Sequence, residues 1–260
     1  MIVLTVLLLL FIDGIYVTVT PLSYIVRGTD AQPGEFTWMA AILDNKGDLI
    51  CGGGIIDQKS ILTSAKCIQK YDALDLRVRV GSLKYDSGGT VFTVGRTIIH
   101  PLYDKSSYIN DIAIIKLSNP IHSFDYKTVA PITISIASRR LGLISNLPVY
   151  MAGWGNTGSL FHSTSSSLQK VTLEIVGHNK CQKTYGSTQV DDSQLCAGVA
   201  DGKLYPSTYD EGGILSSDPS TPSIALGIYS WTSKWSAIYT YPEIYTRISS
   251  YYHWIKHNLD

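Results

Sequence analysis

Apolar and polar residues alternate along much of this chain. Leu76-Arg77-Val78-Arg79-Val80, Thr90-Val91-Phe92-Thr93-Val94 and Lys170-Val171-Thr172-Leu173-Glu174-Ile175 each repeat with a period of two, which predicts strands with one buried face. Asp111-Ile112-Ala113-Ile114-Ile115-Lys116-Leu117 is an almost unbroken apolar run and predicts a strand covered on both faces. Turn-forming stretches such as Asp86-Ser87-Gly88-Gly89 and the polar segment Ser163 to Ser167 separate these runs. A helical period emerges only near the C-terminus, where Ile248, Tyr252, Ile255 and Leu259 share one face. Many short strands followed by one terminal helix predict an all-β fold of paired antiparallel barrels. The Arg139-Arg140 pair near the midpoint is expected in a surface connection open to proteases.

The 260 residues suffice for a large buried core. Lys plus Arg equals Asp plus Glu at 21 each, so no global excess of positive charge favours nucleic acid as a partner. Met1 to Ile12 is apolar apart from Thr5, too short to span a bilayer and suited to the core of a secretory signal. A signal peptide over residues 1–18 is therefore expected, and no later segment predicts a membrane anchor. In a secreted chain the four cysteines suggest two disulfides out of three possible connectivities. Their grouping favours Cys51 with Cys67 and Cys181 with Cys196, each worth roughly 3 kcal/mol in the chain-entropy model. Zinc would need closer Cys pairs or histidines in register. The six histidines are scattered; His253 and His257, four apart, are expected on an exposed helix face. No metal or cofactor is expected.

Several segments, taken in order, resemble the trypsin/chymotrypsin family of serine proteases. Ile25-Val26-Arg27-Gly28 looks like the family's mature N-terminus. Cys51-Gly52-Gly53-Gly54-Ile55-Ile56, followed by Leu62-Thr63-Ser64-Ala65-Lys66-Cys67, resembles the segment that carries the catalytic histidine. Asp111 to Leu117 resembles the segment led by the catalytic aspartate. Gly153-Trp154-Gly155, Leu195-Cys196-Ala197-Gly198, Ser230-Trp231 and Tyr245-Thr246-Arg247 are further landmarks. The resemblance implies a domain over 25–260 built of two six-stranded antiparallel β-barrels with a C-terminal α-helix, preceded by a propeptide over 19–24.

That family's chemistry needs a hydroxyl nucleophile, an imidazole that takes its proton, and an aspartate that orients the imidazole. By motif register Asp111 is retained, Lys66 stands in the histidine's place, and Glu211 stands in the serine's place within Tyr209-Asp210-Glu211-Gly212-Gly213-Ile214. An ammonium has three donors and no acceptor, and a carboxylate has no hydroxyl to activate. Lys66 is instead expected to bridge Asp111 and Glu211. The resemblance also puts Tyr205 at the base of the specificity pocket and Thr232 and Glu243 on walls usually lined by glycine, so the pocket is expected to be filled. Ser207 takes the place of a cysteine that normally ties the pocket loops. Ile25 and Asp210 match the family's pair of inserted amino terminus and buried aspartate.

The combination of Lys66 and Glu211 resembles the inactivated protease paralogues of the scabies mite. That resemblance implies a secreted non-enzyme, delivered to the mite gut lumen, that binds host extracellular proteins and inhibits complement. Two alternatives stay open: a non-catalytic cofactor or decoy assembled with active proteases, and a hydrolase of different chemistry.

Overall fold

The computed structural model describes residues 28–155, 164–186, 189–199, 206, 208–219, 222–233 and 241–259. The expected signal peptide and propeptide lie outside them. The first barrel closes through strands β2 (Met39–Leu43), β3 (Leu49–Ile55), β4 (Ser60–Thr63), β7 (Ala113–Leu117), β6 (Thr90–Ile99) and β5 (Arg77–Val80), paired in that order. The second closes through β8 (Pro148–Gly153), β9 (Gln169–Val176), β10 (Gln194–Gly198), β13 (Glu243–Arg247), β12 (Ala225–Trp231) and β11 (Ile214–Ser216), with short β1 (Thr29–Asp30) added at the edge of β9. The two six-stranded antiparallel barrels expected from the sequence are present.

The polarity pattern explains how each strand is placed. In β9, Val171, Leu173 and Ile175 are buried while Thr172 and Glu174 face outward, as a strand with one covered face requires. Every residue of β7 is buried, and Lys116 is accommodated because its ammonium donates to Ser60 Oγ at 2.9 Å and to the Leu259 carbonyl at 2.7 Å. Those bonds fasten the C-terminal segment to the first barrel, where Ile255 packs at 0 % exposure. The terminal helix begins as a 3-10 turn over Ile248–Tyr251 and continues as α-helix over Tyr252–His257, with His253 and His257 exposed.

Among the described residues three further α-helices are short: α1 (Ala65–Ile68), α2 (Ser138–Leu141) and α3 (His178–Tyr185); the terminal one is α4. The Arg139-Arg140 pair is exposed in the connection between β7 and β8, in the short helical turn α2. Both disulfides form as grouped, Cys51–Cys67 and Cys181–Cys196. Among the described residues no helix is long and apolar enough to cross a membrane.

Candidate functional site

Antiparallel pairing assembles half of the site. β4 and β7 are joined with Thr63 opposite Ala113, so the residues that follow β4 meet those that precede β7. Ser64 caps α1, its hydroxyl accepting from the Cys67 N–H at 3.3 Å, and this turn directs the Lys66 N–H to Asp111 Oδ1 at 2.7 Å. The other half comes from the second barrel, in the turn before β11. Gly52 permits its approach: a Cβ there would lie 3.2 Å from the Gly213 Cα, and the Gly52 N–H instead donates to the Glu211 carbonyl at 2.9 Å.

The Lys66 ammonium crosses between the barrels. It pairs with Glu211 Oε1 at 3.1 Å, donates to the Ser230 carbonyl at 3.2 Å, and lies 5.3 Å from the centre of the Tyr108 ring. The second oxygen of the same carboxylate, Glu211 Oε2, accepts the Tyr209 N–H at 2.7 Å. Tyr209 has φ +76°, a left-handed conformation that costs a non-glycine residue roughly 1–2 kcal/mol. Glycine-like geometry therefore survives at a tyrosine, with its N–H held by a carboxylate two residues away.

Asp111 is buried at 0 % exposure. Its Oδ2 accepts the Ser230 hydroxyl at 2.5 Å, and its backbone carbonyl accepts the Thr246 hydroxyl at 2.8 Å. Burial pushes its carboxyl up to about 6, opposed by the Ser230 hydroxyl, the Lys66 and Ala65 N–H groups and the Lys66 ammonium. The expected bridge is thus half present: Lys66 pairs with Glu211 through its ammonium, but reaches Asp111 through its backbone N–H. The long side chain spans the cleft, while the first turn of α1 presents the N–H to Asp111.

Glu243, which the family register puts on the pocket wall, is 2 % exposed, and its Oε2 has no hydrogen-bond partner among the described residues. Burial raises its carboxyl well above the ordinary range. Its Oε2 lies against Gly198, where an added Cβ would stand 3.2 Å away. Thr232 is half-buried beside the Tyr185 hydroxyl. Tyr205 and Ser207 fall outside the described residues, as does Ile25. Asp210 is 1 % exposed, and its Oδ1 accepts the Gly155 N–H at 2.7 Å.

Chemically, Lys66, Glu211 and the Tyr209 N–H satisfy one another. Both carboxylate oxygens are engaged, and the ammonium offers no lone pair to accept a proton. Ser230 as the hydroxyl partner of Asp111 was missed in the sequence, because nothing in the spacing of residues 119 apart signals that contact. Among the described residues no group of three or more His, Cys, Asp or Glu converges as a metal site.

The Trypsin family profile matches residues 25–255. Trypsin Blo t 3 of Blomia tropicalis is 32% identical over 237 residues, covering 90% of this chain and 85% of that one. The clotting factor G beta subunit of Tachypleus tridentatus is 29% identical over 252 residues, covering 90% and 79%. Among solved structures, neuropsin, a serine protease expressed in the limbic system of mouse brain, superposes with a TM-score of 0.76 at 28% identity, covering 90% of this chain and 99% of that one.

Proposed function

The chain belongs to the trypsin family, and from that premise we propose that it is a secreted protease homologue without proteolytic activity, acting by binding other proteins. One observation carries this reading. The Glu211 carboxylate binds both the Lys66 ammonium and the Tyr209 N–H, where by motif register the family keeps its nucleophile, its base and an oxyanion donor. A donor already satisfied by a fixed carboxylate offers little to a developing oxyanion, whose stabilisation depends on donors aimed at the new charge. Loss of the serine or histidine alone costs about 10⁶-fold in kcat in a protease of this mechanism. The buried Glu243 side chain supports the same reading, since by motif register it stands where the family keeps a glycine on the pocket wall.

The partner class follows from the resemblance to the scabies mite paralogues: host complement components, met after secretion into the gut lumen. Capture on the immobilised protein from host serum, run beside a complement lysis assay, tests it. The expected result is recovery of complement components and reduced lysis. Unchanged lysis with no complement component captured contradicts the complement assignment.

A further inference from the structure

A patch on the second barrel combines bare cations with exposed apolar side chains. Among the described residues, three of the large hydrophobics that stand in solvent lie close in sequence around α2: Ile136 at 55%, Leu143 at 56% and Ile144 at 49% exposure. Arg139 and Arg140 stand exposed between them. The chain then turns through successive tight bonds, Leu143 N–H to the Arg140 carbonyl and Ile144 N–H to the Leu141 carbonyl. It is tied to the end of β9 by the Asn146 N–H on the Ile175 carbonyl at 2.8 Å.

Ser145 and Asn146 then form one wall of a groove of about 320 Å³ whose other side includes Lys180 and Thr184 of α3. Lys183, exposed and three residues from Lys180, is its neighbour along the helix. Arg139, Arg140, Lys180 and Lys183 form no ion pair and no side-chain hydrogen bond within the described residues. Of the acids on this side, Asp192 is almost fully exposed with its Oδ1 3.1 Å from His178 Nε2, and Asp191 accepts the Ser193 N–H and hydroxyl at 2.8 and 2.6 Å. Glu174 stands on the groove wall. The four cations thus stand against three carboxylates, and none of the four has a salt-bridge partner among the described residues.

We propose that this patch, from Ile136 through Ile144 to the Lys180 groove, is a docking site for an acidic protein segment carrying apolar side chains. Charge complementarity selects the acidic residues, which would sit against Arg139, Arg140, Lys180 and Lys183. Leu143 and Ile144 would cover the apolar ones, and exposed apolar side chains grouped in this way mark interaction surfaces. A sulfated glycan would leave the apolar side chains uncovered, and a flat bilayer would not enter the groove. The proposal stands whether or not the central cleft turns over peptides.

The test uses the full chain and a short labelled peptide in which pairs of glutamates alternate with leucines. Oligoglutamate of equal charge, heparin and phosphatidylserine vesicles serve as comparison ligands. The peptide is expected to bind more tightly than oligoglutamate. R139E/R140E and L143S/I144S should each weaken it by about tenfold or more, equivalent to about 1.4 kcal/mol, while L74S, at a distant exposed leucine, should not. All the substituted side chains are exposed, so wild-type melting temperatures are expected; should L143S/I144S fold poorly, the R139E/R140E result and the oligoglutamate comparison decide. The proposal is overturned by absence of peptide binding, by binding indifferent to the charge reversal, or by preference for heparin, oligoglutamate or vesicles.

Discussion

At residue scale, Glu243 is an acid buried at 2 % exposure. Its burial raises the carboxyl well above the ordinary range, so the folded chain keeps a proton that the unfolded chain releases near pH 4. Between that value and the raised one, the folded state binds more protons, and stability falls as pH rises by up to about 1.4 kcal/mol per unit. Asp111, raised to about 6 by burial, adds a term of the same sign that operates from about pH 4 to 6. Glu243→Gln keeps the shape and removes the larger titration. The variant should therefore lose less melting temperature than the wild type between pH 5 and pH 8. Parallel loss in both proteins would show that Glu243 is not buried as a neutral acid.

At this same scale the sequence was only partly informative. The replacement of a hydroxyl by Glu211 and of an imidazole by Lys66 is legible once the motifs are aligned with the family. The destination of each donor is not. Lys66 sends its N–H to Asp111 and its ammonium to Glu211 because its backbone is fixed by α1 and its side chain is free to cross the cleft. A one-dimensional pattern carries no information on which of the two reaches which carboxylate. The carboxylate bond to the Tyr209 N–H was hidden for the same reason.

At the scale of elements, periodicity located the strands that bury one face. β9 follows its alternation closely, and Leu173 at 0 % exposure pairs with Val149 in the inner layer of the second barrel. Leu173→Ala should cost about 2–5 kcal/mol, whereas Thr172→Ala on the outer face should cost within about 0.5 kcal/mol. Urea unfolding measures both, and equal costs would contradict the assigned faces. The same reasoning missed α3, because His178 to Tyr185 buries only Cys181 and has no apolar stripe to reveal a helical period. Its position is set by the Cys181–Cys196 disulfide and the neighbouring strand, which are tertiary constraints. β6 ran on to Ile99, beyond the alternating stretch that ended at Val94, because β7 supplies backbone partners for the added residues.

At the scale of the whole molecule, two closed barrels bring the end of β4, the start of β7 and the turn before β11 to a common cleft. Lys66 and Glu211 meet across 145 residues, and only the fold makes them neighbours. The architecture was legible from strand patterning and family landmarks together, but the ion pair that fills the cleft required coordinates. The proposed function treats those barrels as a rigid scaffold for surface recognition. Its central claim, that the cleft satisfies itself and performs no acyl transfer, is tested most directly by exposing the purified chain, processed before Ile25, to a peptide library that varies the residue preceding the scissile bond. The account predicts no cleavage above buffer for any member. Cleavage that persists through purification and disappears in Glu211→Gln would contradict it.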